Sequence, residues 1–190
     1  MFRSFNLVLP LLSVIYALAL THILSRAVAL VVARAQVIFS PLLALAMINA
    51  ALFVYINWLS LWDLREVNGW TLYMITIQVV FAISLYSISS FAAPDVGAQP
   101  VDMETYYWQQ RAPFYWACLA CELISLPGNM AYLKTPNAQL FLQQNMAVLP
   151  MFVPTILALA VPKPWAQWIG GAGLFVLLIV FMVMFTGNLG

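Results

Sequence analysis

Six apolar runs, each about twenty residues or longer, fill most of this chain, and only short polar breaks separate them. A helix of that length spans about 30 Å, the thickness of a bilayer's hydrocarbon core. No water is available there, so each run must satisfy its peptide groups internally, as a helix does. A β-barrel would instead need alternating strands of about ten residues, and the runs lack that period of two. Composition agrees. Hydrophobic residues make up 65% of the 190 positions and charged ones only 7%, against roughly 25% charged in soluble domains. The expected fold is all-α: a polytopic transmembrane bundle of about six helices forming a single domain over residues 1–190.

Proline, glycine and polar clusters mark the boundaries. Helix 1 is expected from Phe5 into the low thirties, with Pro10 in its early turns. Arg34-Ala35-Gln36 links it to helix 2, which starts near Ser40-Pro41 and runs to Trp62; proline suits a first turn. Asp63–Gly69 forms the next turn, with Asp63 and Arg65 as solvated charges and Asn68-Gly69 as the breaker. Helix 3 covers Trp70 to about Phe91. Ala93–Arg111 is the longest polar stretch. Within it, Asp102 caps a short interfacial helix, Met103–Gln110, whose Tyr106, Tyr107 and Trp108 suit the headgroup level. Helix 4 starts at Pro113 and weakens at Pro127-Gly128-Asn129. Helix 5 runs from about Asn137 to Val161 with Pro150 and Pro154 inside. Lys163-Pro164-Trp165 turns into helix 6, Gln167–Thr186, the most uniformly apolar span.

The first apolar run continues well past Ala17-Leu18-Ala19, so it reads as an uncleaved helix rather than a signal peptide. Orientation stays undecided. Arg3, Arg65 and Lys134 fall on one side, Arg26, Arg34, Arg111 and Lys163 on the other, which gives no positive-inside bias. Net charge is +1 and no basic run is present, which excludes nucleic acid as a partner and leaves membrane lipids. Phosphate loops, HExxH and nucleophile elbows are absent from the sequence.

The few polar residues inside the runs carry what chemistry there is. Glu122, counted from Pro113, lies about 14 Å below the membrane surface. An ionisable group there costs at least ~2.5–3.5 kcal/mol and usually faces a bundle interior, where it sits as a neutral acid. It could serve as a proton relay or cation site, or donate one interhelical hydrogen bond. His22 and Arg26 share a helix face by their i, i+4 spacing. Arg26 can snorkel to the headgroups. With Asn49 at a depth similar to Glu122, they outline a polar file open toward the Ala93–Arg111 side. The simpler account is that Asn49, Gln78 and His22 glue helix pairs. Cys118 and Cys121 beside Glu122, with His22, would supply four ligands to a soft metal. One CxxC without a second pair, in a helix that packs through small residues, reads instead as no metal site. Arg111 and Tyr107 could grip a lipid phosphate, or Arg111 could pair with Glu104.

Ala19-Leu20-Thr21-His22-Ile23-Leu24, Trp62-Asp63-Leu64-Arg65, and Asp102 followed by Tyr106-Tyr107 and Arg111 resemble an uncharacterised group of small bacterial six-helix inner-membrane proteins. The resemblance implies that architecture and a bacterial inner membrane, assigns no activity, and nominates His22 and Arg111 for testing.

Three functions compete. The first, favoured by the small extramembrane mass and scarce ionisable groups, is a non-enzymatic subunit of a larger membrane assembly or a homo-oligomer. The second is a small proton- or cation-linked transporter or channel using the His22/Glu122 file, with prolines breaking helices near the path. A membrane-embedded enzyme acting on lipid or quinone ranks last.

Overall fold

A computed structural model describes residues 5–61, 64, 67, 69–97, 99–133 and 137–186, with side chains from Val8 to Met184. Trp62, Asp63, Arg65 and Asn68 of the expected turn, and Arg3 and Lys134, lie outside the described residues. The helices are α1 (Phe5–Val32), α2 (Pro41–Ser60), α3 (Leu72–Ala92), α4 (Met103–Met130), α5 (Ala138–Asn145), α6 (Phe152–Ala160) and α7 (Pro164–Thr186). Four of them, α1, α2, α3 and α7, are long and apolar enough to cross a membrane, and a fifth crossing results if α5 and α6 count as one bent span. The protein is all-α, and these helices point to a membrane-embedded chain.

Each element follows from its sequence. Pro41 begins α2 directly after Ser40. The Thr71 side chain accepts a hydrogen bond from Met74 N at the start of α3. Gly69, with φ +82°, supplies the left-handed residue before it. Two short strands, β1 (Val37–Ile38) and β2 (Val101–Asp102), pair in parallel. They tie the α1–α2 link to the α3–α4 link and define a far side of the bundle. The α2–α3 and α4–α5 connections define the near side.

The structure departs from the sequence reading at two places. Met103–Gln110 is not a separate interfacial helix; it is the first two turns of α4, which continues through Pro113 and on through Pro127 to Met130. Pro113 removes one backbone donor, but Tyr107, Phe114 and Tyr115 around it are all buried, and that packing holds the helix together. The expected cap stands: the Asp102 side chain accepts from Glu104 N and Thr105 N, both at 3.0 Å. The span expected from Asn137 to Val161, by contrast, is broken. α5 and α6 meet at 64° across the break. Pro150 and Pro154 cannot donate to the ladder. Asn145, at the break, donates to Phe141 O at 3.0 Å and accepts from Asn129 Nδ2 of α4 at 3.0 Å.

α1 packs on α2 and α3, while α4 lies among α2, α3, α5 and α6. α1 turns Leu12, Tyr16, Ala19 and Ile23 inward and leaves Leu11, Val14, Leu18 and Val28 outside. α7 is less featureless than its composition suggests. A Cβ at Gly170 would stand 2.6 Å from Ala158 Cβ and 2.8 Å from Pro154 O, so only glycine lets α7 approach α6 this closely.

Two predictions follow from the packing and the cap. Gly170→Ala is expected to cost about 1–3 kcal/mol by overpacking, whereas Gly97→Ala, which meets nothing within 4 Å, is expected to be close to neutral. Thermal unfolding in detergent measures both, and equal midpoints for the two variants would contradict the packing account. The hydrogen bonds from Thr105 and Glu104 hold the Asp102 carboxyl below its usual range. Its stabilisation is therefore full above the ordinary carboxylate range and is lost as pH falls through the lowered folded value. Asp102→Asn, which can still cap, is expected to flatten the acid limb of the stability–pH curve. Superimposable acid limbs for variant and wild type would refute this.

Candidate functional site at the foot of a one-sided cleft

α4 starts at Met103 rather than Pro113, so nineteen residues of helix run from its far-side start to Glu122. Glu122 lies eight residues from Met130, about 12 Å from the near-side end of the helix, and is 2% exposed. Its Oε1 accepts a 2.6 Å hydrogen bond from Thr155 Oγ1 of α6. Its Oε2 is buried and meets no donor among the described residues. Thr155 reaches it because the α5–α6 break redirects α6 toward α4.

The same break opens a cleft of about 590 Å³ on the near side, with Glu122 in its lining. Phe53 and Asn57 of α2, Gln78 of α3, Gln144 of α5 and Phe181 of α7 line it further out. The walls are largely apolar, with amide side chains toward the mouth. Gln78 donates to Tyr132 Oη at 2.8 Å, and Asn129 donates to Gln144 O at 3.2 Å, so this polar rim is partly cross-linked. Lys and Arg do not occur among the described lining residues.

The far side is closed. Arg111 and Tyr107, expected at lipid headgroups, turn inward. Arg111 Nη1 donates to Ala158 O at 3.0 Å and Leu159 O at 3.2 Å. These are carbonyls left free at the α6 C-terminus, where a cation also complements the helix dipole. Tyr107 Oη donates to Gln167 Oε1 at 2.8 Å. Gln167 Nε2 in turn donates to Ala158 O and Val161 O, both at 2.8 Å. Arg111 has no pairing with Glu104, which instead accepts from Ser40 Oγ and from Trp108 Nε1. α4, α6 and α7 are thus locked together at the end opposite the cleft.

The four residues of the expected polar file are not joined into one. Arg26 pairs with the exposed Asp95 of the α3–α4 link. His22 stands beside Tyr86 of α3, ring centroids 6.2 Å apart, with Nε2 buried and without a partner among the described residues. Asn49 donates to Gly171 O of α7 at 2.9 Å. The reason is topological: α1 is applied to the α2–α3 face, and Asn49 and Glu122 direct their hydrogen bonds to α7 and α6. The opening toward Glu122 is on the near side, opposite to the Ala93–Arg111 end. Cys118 and Cys121 are buried free thiols. Among the described residues no three His, Cys, Asp or Glu side chains come together as a metal would require.

Thr155 and Gln167 carry central hydrogen bonds, yet nothing in the sequence singled them out. A lone hydroxyl after Pro154 and a lone amide in the first turn of an apolar helix were the only available signals. No protein-family model, curated protein or solved structure matches this chain.

Gln167→Leu removes a buried partner from Tyr107 and from two carbonyls. Unsatisfied buried groups cost about 1–3 kcal/mol each, so a loss of at least ~2 kcal/mol in thermal stability is expected. A near-neutral Gln167→Leu would show the far-side lock to be dispensable.

Proposed function

We propose that this protein is a small proton- or cation-linked membrane transporter, with Glu122 as its exchangeable site. The observation that carries this reading is a carboxyl at the foot of a one-sided cleft, with one oxygen held by Thr155 and the other meeting no donor among the described residues. Asn49 also keeps one buried oxygen without a partner among the described residues, but it lies outside the cleft lining, whereas Glu122 is ionisable and lies within it. A cation at Oε2 supplies the missing partner, and a proton there removes the charge. The broken α5–α6 pair supports the same reading, since discontinuous helices frame binding sites in many transporters.

In this reading the crossings are six: α1, α2, α3, α4, the bent α5–α6 pair and α7. α4 is too polar to count as a span by composition, yet it is long enough and is sheltered by its neighbours. Its first two turns, with Tyr106 and Trp108, lie at the headgroup level. The setting implied by the sequence resemblance is a bacterial inner membrane. A purely structural subunit draws on no particular feature, because the exposed faces of α1 and α7 suit lipid as well as protein.

Purified protein in vesicles with an entrapped pH dye tests the proposal. Under an imposed pH gradient, wild-type vesicles are expected to equilibrate faster than protein-free ones, and Glu122→Gln vesicles only at the protein-free rate. Wild-type vesicles no faster than protein-free ones would remove the transport reading in favour of a structural subunit.

A further inference from the structure

We infer that the cleft takes an amphiphilic organic cation: a positively charged head with an apolar, aromatic-sized body. The inference rests on the transport reading above and names its solute class.

Three features of the cleft select this class. The first is charge. Glu122 is the one ionisable carboxyl among the described lining residues, and no Lys or Arg accompanies it there. A carboxylate at a buried site needs a counter-charge. Among the described residues only the Thr155 hydroxyl meets Oε1 and none meets Oε2, so the occupant supplies the counter-charge. An anion would find no cationic partner among the described lining residues. The second feature is the wall. Phe53, Phe81, Phe181 and Tyr132 line the cavity, and aromatic faces attract organic cations while also covering their apolar bodies. The third is size. About 590 Å³ lies within the range of small-molecule sites, roughly 300–1,000 Å³, and far exceeds what a bare proton or metal ion would need.

Protons and the organic cation then compete for one carboxylate. Rising pH ionises Glu122 and strengthens binding; falling pH protonates it and expels the cation. The other titratable groups near Glu122 are Cys118 and Cys121 on its own helix and Tyr132 at the mouth, with Tyr16 of α1 beyond them, near Cys121 and Tyr132. From α6 it meets the neutral Thr155, and the described lining residues of α2, α3, α5 and α7 carry no charge. Thiols and phenols ordinarily ionise above neutrality, and His22 stands beside Tyr86 outside the cleft lining, so a change between about pH 5 and about pH 8 that Glu122→Gln abolishes reports on Glu122. Such competition is the device by which a proton gradient drives export of a cation.

The probe is radiolabelled benzyltrimethylammonium, a permanent cation with no proton of its own. Its uncharged carbon isostere, neopentylbenzene, is the competitor. Binding is measured by equilibrium dialysis on the full chain in nanodiscs, with protein-free nanodiscs subtracted. Expected are saturable binding that strengthens from about pH 5 to about pH 8 and no displacement by neopentylbenzene. Glu122→Gln should bind at least about tenfold more weakly at the upper pH and lose the pH dependence. Gln retains an acceptor for Thr155, so the variant is expected to fold; if it does not, the wild-type pH dependence and the isostere comparison decide. Equal displacement by neopentylbenzene, or pH-independent binding, overturns the inference, because the cleft then selects for apolarity alone. Absence of binding with gradient-driven flux intact also overturns it and leaves the transport reading standing. Cation binding of the expected kind without flux supports the solute class and removes transport.

Discussion

A helix that carries Glu104, Arg111 and Glu122 cannot face hydrocarbon along its length, and the bundle is arranged to prevent it. α4 is surrounded by α2, α3, α5 and α6, while α1 and α7 present wide apolar faces outward. Each ionisable group on α4 has a partner suited to its depth. Glu104, at the far-side end, accepts from Ser40 and Trp108; Arg111, about two turns deeper, takes the free carbonyls of α6; Glu122 takes a threonine hydroxyl. Polar groups at membrane depth are tolerated where protein replaces the missing water, and here the surrounding helices do so group by group.

The α5–α6 break makes the two ends of the bundle unequal. On the far side the α6 C-terminus runs into α7 through a short turn, and its carbonyls are taken up by Arg111 and Gln167. On the near side α5 leans away at 64°, and the volume that a straight helix would occupy becomes the cleft. One discontinuity therefore does two things. It leaves space beneath Glu122, and it aims Thr155 at the carboxyl's other oxygen. Asn145 and Asn129 hold the break in place with side-chain hydrogen bonds, replacing part of the backbone ladder lost there.

The buried polar side chains divide by what they touch. Asn49 bridges α2 to α7, and Gln78 bridges α3 to Tyr132 after the end of α4; these are interhelical hydrogen bonds of the kind that hold membrane bundles together. Glu122 differs because its chemistry outruns its protein partners. Asn49 also leaves an oxygen without a partner among the described residues, but a carboxyl can carry a full charge, and Glu122 lies in the lining of a cleft with no Lys or Arg among its described residues.

Hydropathy and turn chemistry alone determined the helical class, the start of α2 at Pro41, the extents of α1 and α3, and the Asp102 cap. Each depends on forces acting within one segment: apolar surface avoiding water, peptide groups paired inside their own helix, and a carboxylate meeting free amides. The start of α4 is not legible because Pro113 looks like a helix start, and only packing around Tyr107, Phe114 and Tyr115 carries the helix through it. Likewise, two prolines in the run from Asn137 to Val161 were visible, but neither the angle nor the space it leaves could be read from them. Whether His22 meets Glu122, whether Arg111 faces lipid or a helix end, and which side opens all depend on which helix lies beside which. That order is fixed by contacts between residues far apart in the chain, such as Gly170 against Ala158 and Gln167 against Tyr107, and periodicity within a single segment contains no information about them.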